Sequence, residues 1–363
     1  MSDVLLAIGT GKGLFVARSR DGRRSWQVTG PQFVSDAVYA IGIDTRRAPP
    51  RLLVGGHSEH WGPSVFRSDD LGTSWQEPEQ GAVRFPPETD AALVRVWQLQ
   101  PGPADHPDLV WAGTEPTALF RSDDGGVRFE LVDGLWNHPH RPQWQPGGGG
   151  QCLHTVVAHP SDPARVLVGM STGGVYRTED GGKTWEASNT GIEAYFLPDP
   201  NAEFGQCVHK FAMGAGTPDQ LFLQHHGGVY RSDDGGKSWQ SIAAGLPSDF
   251  GFPIAAHPRR PETAYVFPLS ADVRRLPPDG RCRVYRTGDA GSSWEALTTG
   301  LPQDGFHTVV LRDALTVDDA DPIGVYFGTR SGEVYASSDE GESWSAVVQH
   351  LPDVRCVRAA VVG

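Results

Sequence analysis

One short phrase recurs seven times along this chain: Ser or Thr, a spacer, Asp, a spacer, Gly, two residues, then Trp. Five copies are complete: Ser68-Asp70-Gly72-Trp75, Thr178-Asp180-Gly182-Trp185, Ser232-Asp234-Gly236-Trp239, Thr287-Asp289-Gly291-Trp294 and Ser337-Asp339-Gly341-Trp344. Two are degenerate. Ser19-Asp21-Trp26 carries Arg23 in the Gly position, and Ser122-Asp124-Gly126 ends in Phe129. From Asp to Asp the steps are 49, 54, 56, 54, 55 and 50 residues, a period that fits one four-stranded propeller blade with its loops. The spacing predicts an all-β chain. It reads as a single seven-bladed β-propeller over residues 1–363, with these turns near 19–26, 68–75, 122–129, 178–185, 232–239, 287–294 and 337–344.

The phrase has the chemistry of a turn. Ser and Asp accept hydrogen bonds from nearby amides, Gly permits positive φ, and Trp wedges against a neighbouring unit. Each copy follows a strand-like run such as Gly174-Val175-Tyr176-Arg177, so it falls between the third and fourth strands of a blade. The N-terminus opens on a second strand, Val4 to Gly9, and the inner-strand pattern returns at Val354 to Val362. The C-terminal strand is therefore expected to close the first blade and remove a free sheet edge.

These turns match the Asp-box, or bacterial neuraminidase (BNR) repeat, and the chain resembles the sialidase-like propeller superfamily of WD40/YVTN/BNR-like repeat proteins over nearly its whole length. The resemblance implies the fold and leaves the activity open, because sialidases, other glycosidases, sorting-receptor ectodomains and photosystem assembly factors share it. Sialidases clamp a substrate carboxylate with three Arg, pair a Tyr nucleophile with Glu, and carry an early Arg-Ile-Pro. No Arg-Ile-Pro occurs here, so sialidase activity is not expected.

A formal charge of −13 argues against a nucleic-acid or anionic-membrane partner, which needs clustered Lys and Arg. The four cysteines show no paired framework, no basic leader precedes the first apolar stretch, and no apolar run approaches a membrane span. The expected location is cytoplasmic.

Aligning the blades on the third residue of Cys152-Leu153-His154 gives a ring of Tyr39, Trp97, His154, His209, Pro253, His307 and Arg358. Loops expected on the same face add His57, Glu59, His60 and Trp61, then Glu115, then His225 and His226. The connector Trp136 to Gln151 adds His138, His140 and Trp144. Imidazoles gathered at one mouth suit zinc or a divalent transition metal, which lowers the pKa of bound water towards neutrality. On that reading His57, His154, His209, His225 and His307 are ligands, and Glu115 and Arg358 are catalytic. His60, Trp61, Trp97, His138, Trp144 and His226 bind a small polar substrate for hydrolysis, elimination or oxidation. A metal-free histidine cluster holding water stands beside it. Two other functions remain open. One is a non-sialidase glycoside hydrolase or glycan-binding propeller that stacks sugars on Trp61, Trp97, Trp136 and Trp144. The other is a scaffold or assembly factor with a protein partner.

Overall fold

The computed structural model describes residues 3–78, 81–148, 150–214, 216–270 and 274–362. Alternation of apolar residues with turn signals gives seven antiparallel sheets, blades I to VII in chain order. Six have four strands. Blade II has three, Asp36–Asp44, Arg51–Ser58 and Gly62–Ser68, with a bridge between Arg67 and Gln76 in the fourth place.

The chain divides into two compact units. Met1–Val34, Thr190–Asn201 and His209–Gly363 form the first, and Ser35–Asn189 with Ala202–Val208 forms the second. In the first unit, blade I is closed by Val354–Val361, which pairs antiparallel with Val4–Thr10. Blades V, VI and VII begin with Val208–Met213, of which all but Val208 belong to this unit, Gly251–Ala256 and Leu315–Val317. Their apolar faces bury Phe250, Phe267, Leu315, Phe327 and Trp344 in one cluster, and Phe222, Ile254 and Val266 in another. The second unit holds blades II, III and IV, the last two starting at Arg95–Pro101 and Leu153–Ala158. Its cores centre on Trp111, Leu153, Tyr176 and Trp185, and on Leu53, Val96 and Phe120.

The recurrent turns are built as their residues require. Ser68 Oγ donates to Asp70 Oδ1 at 2.7 Å and accepts the Gly72 amide at 2.8 Å. Asp70 then accepts the Ser74 amide at 2.9 Å and the Ser74 hydroxyl at 2.6 Å. Equivalent bonds tie Thr178 to Thr184 and Ser337 to Ser343. The third copy lacks the last bond because Arg128 replaces the hydroxyl residue. The Gly position is left-handed throughout, so Arg23, at φ +68°, adopts a conformation that costs a side-chain-bearing residue about 1 kcal/mol. Its guanidinium compensates by bonding Asp318 at 3.1 Å and the Pro322 carbonyl at 2.9 Å.

The inner strands share a bulge. In blade II, Val38 pairs with Gly56 and Ala40 with Gly55, leaving Tyr39 unpaired in the ladder. Trp97 and His154 are skipped in the same way in blades III and IV. A bulge re-aims its side chain, and the blade alignment places this position correctly in those three blades. It slips in blades I and VII. In blade I the skipped residue is Arg355, because Gly9 pairs with Cys356 and Thr10 with Val354, so Arg358 lies three residues further along. In blade VI the shift falls between Gly251 and Ile254 and takes in Phe252 as well as Pro253. In blade VII the inner strand starts at Leu315, so exposed His307 lies in the irregular segment before it, against Gly280.

Candidate functional site

In the second unit, Glu115 ends the second strand of blade III opposite Arg95. Its Oε2 accepts from Arg95 Nη1 and from Trp97 Nε1, each at 3.1 Å. The Arg95 guanidinium lies 4.2 Å from the centre of the Tyr39 ring, and Tyr39 meets Trp97 edge-on at 5.3 Å. The bulge residues thus supply an aromatic wall, and the ion pair fixes one carboxylate against it. The glycine-rich end of the connector reaches this carboxylate, for a Cβ on Gly150 would stand 2.6 Å from Glu115 Oε1.

A second carboxyl lies at the same end of the neighbouring blade. Asp36 opens the inner strand of blade II opposite Ser58, as Arg95 opens that of blade III opposite Glu115. Burial pushes the Asp36 carboxyl above the usual Asp range, the charge of Glu77 adds to the rise, and His57 opposes it. Asp36 escapes a reading of the sequence, where the only signal is an acid at the head of an alternating apolar run. His57 faces Ala37 across the strands, and its Nδ1 is buried without a partner among the described residues. His60 and Trp61 are exposed on the adjoining turn, Trp61 at 88%, with both amides bonded to Ser58 Oγ at 3.2 Å.

The connector packs rather than presents its rings. His140 Nδ1 lies 3.0 Å from the Tyr176 hydroxyl and its ring stacks on Phe204, while Trp144 Nε1 donates to the same hydroxyl at 2.9 Å. Trp144 is buried, which corrects its reading as an open stacking face. His138 stands edge-on to His140 at 4.6 Å, and burial lowers its pKa, aided by His140. His154 is wholly buried, its Nδ1 3.1 Å from Thr155 Oγ1.

In the first unit, His209 and His226 meet edge-on at 5.4 Å, beside Phe250 and Phe252. His209 Nδ1 lies 2.5 Å from the Gly251 carbonyl, and burial drives its pKa well below the ordinary value, helped by the charge of Arg312. His225 is buried too, which corrects its placement on an open loop, and burial pushes it down to about 3. Arg358 is occupied elsewhere. It pairs with Asp313, which also binds Lys210 Nζ at 2.7 Å. Burial works to raise the Asp313 pKa, and the charges of Lys210 and Arg358 outweigh it and hold that pKa low. Arg358, expected at the reactive mouth, is thus engaged in an ion-pair cluster with Asp313 and Lys210. Among the described residues, neither unit by itself brings three of His57, His154, His209, His225 and His307 within ligating distance of one another.

Residues 230–241, within the fifth box, match the model of the BNR/Asp-box repeat. The chain is 25% identical over 226 residues to the oligoxyloglucan-reducing end-specific xyloglucanase of Emericella nidulans, covering 53% of this chain and 26% of that protein. It is 24% identical over 355 residues to a xyloglucanase of Hypocrea jecorina, covering 93% of this chain and 35% of that protein. The chain therefore spans only about a third, or less, of the length of these relatives. An ancestral GH74 enzyme superposes with a TM-score of 0.60 at 18% identity, over 86% of this chain and 39% of that one. With the seven stapled blades, these likenesses identify a BNR-type β-propeller.

Proposed function

We propose that this propeller is a glycoside hydrolase acting on a xyloglucan-type glycan, with Asp36 as general acid and Glu115 as general base. The likeness to the Hypocrea jecorina xyloglucanase over 93% of this chain carries the reading, and it favours the glycan alternative over the metal-centred one. The chemistry needs two carboxyl groups in different protonation states. Burial and Glu77 favour the protonated form of Asp36, which suits donation to the glycosidic oxygen as its bond to the anomeric carbon breaks. Glu115, held by Arg95 and Trp97, takes the proton from the attacking water. The exposed Trp61 and half-buried Trp97 offer apolar faces to sugar rings.

The test is incubation of the purified chain with xyloglucan and its oligosaccharides, with new reducing ends counted over time. Release of shorter oligosaccharides is the expected result. Absence of new ends from xyloglucan and from a panel of other neutral glycans overturns the reading.

A further inference from the structure

In the first unit, the two buried histidines hold complementary tautomers. The Gly227 amide donates to His225 Nδ1 at 3.2 Å, so that nitrogen carries no proton. In the neutral ring the proton then sits on Nε2, which is buried and finds no acceptor among the described residues. His209 is the reverse. Its Nδ1 faces the Gly251 carbonyl, which only accepts, so Nδ1 holds the proton and Nε2 is left with a lone pair. The structure thus holds one unsatisfied donor and one acceptor, with the His226 ring against His209.

An aromatic cover lies over His225 and His226. Phe196 stacks on His225 with ring centres 5.9 Å apart, and Tyr195 and Phe196 also flank His226. Both cover rings face solvent, Tyr195 at 64% and Phe196 at 41%, although large aromatics favour burial. Their loop closes on itself through Ala194 N to Pro200 O at 2.8 Å and Leu197 N to Ala194 O at 2.9 Å. Gly227 is the seat for Tyr195, since a Cβ there would stand 2.4 Å from the Tyr195 ring. A buried donor without an acceptor is costly, and a ligand oxygen offsets that cost.

We propose that His225, under the Tyr195–Phe196 cover, and His209, against the His226 ring, bind the hydroxyl groups of a neutral saccharide ring. A sugar hydroxyl accepts from His225 Nε2–H, another donates to His209 Nε2, and the aromatic rings take the apolar face of the sugar. The saccharide class rests on the glycan reading above, but the site itself uses neither Asp36 nor Glu115.

The test is calorimetric titration of a xyloglucan oligosaccharide into the full chain carrying Glu115→Gln, so that ligand is not consumed. Adding His225→Phe should weaken binding about tenfold, the worth of roughly one neutral hydrogen bond, whereas His225→Gln, which keeps an N–H donor, should restore most of it. Without any substitution at His225, the imidazole Nε2–H proton resonance should move when the oligosaccharide is added. Unchanged affinity in His225→Phe, an unmoved resonance, or no binding at all overturns the site. If the chain releases no reducing ends yet shows this binding pattern, the hydrolase reading fails and the saccharide site stands. Hydrolysis with an affinity indifferent to His225 removes the saccharide site and leaves the hydrolase reading in place.

Discussion

Asp70 lies at the surface, yet the hydroxyl and amide of Ser74, with the hydroxyl of Ser68, hold its carboxyl down at about 2. A carboxyl whose folded pKa is depressed stabilises the fold above its unfolded value, near 3.8, and that contribution is lost as pH falls through about 2. Asp70→Asn should therefore melt at a lower temperature near neutral pH. Its melting temperature should also fall less steeply between about pH 4 and pH 2, as read by circular dichroism. Equal slopes in the two proteins would show that the turn bonds do not discriminate charge. At this scale the sequence was legible wherever local bonding decides the conformation, as at the Ser, Asp and Gly of each turn. Asp36 was not legible, because its raised pKa depends on burial and on Glu77, forty-one residues away in sequence. Neither was Asp313, whose partners Lys210 and Arg358 stand on strands distant in sequence.

The inner strands show how elements constrain one another through glycine. Gly113 leaves no room for a side chain, since a Cβ would stand 2.5 Å from the Leu153 carbonyl of the next blade in the same unit. Gly113→Ala should destabilise the protein by about 1–3 kcal/mol in urea unfolding, because backbone must move to admit the methyl group. An unchanged midpoint would mean that blades III and IV separate freely. Removal of residues from Val354 onward should be more severe, stripping the inner strand from Val4–Thr10 and leaving buried Leu6 and Ile8 at an open edge. The expected product is insoluble or unfolded chain, and a cooperative melt close to that of the full chain would contradict the closure. Blade number and closure were readable because a fifty-residue period survives variation in the loops. The histidine ring was less readable. A bulge shifts pairing by one residue, and the long segment before Leu315 displaced the inner strand of blade VII, so His307 and Arg358 were assigned to positions they do not hold.

Over the whole chain, the sequence gathers chemistry on different parts of the scaffold. The second unit carries Asp36, Glu115, Trp97 and the exposed Trp61, and the first carries the His209 and His225 tautomer pair with its aromatic cover. Repeat-driven sheets supply rigid frames, and the residues that differ between blades supply the chemistry. The blade alignment of the histidines pointed to a metal ion at one mouth, whereas the saccharide reading proposed above draws on the likeness to xyloglucanases and on two carboxyl groups in unlike surroundings. Turnover of xyloglucan oligosaccharides by Asp36→Asn and Glu115→Gln, beside the unsubstituted chain, tests the two-carboxyl chemistry most directly. Each variant should keep the parent's oligosaccharide affinity and melting behaviour while kcat falls about 10²- to 10⁴-fold, the usual worth of a general acid or base. Variants that turn over at the parent's rate would contradict it.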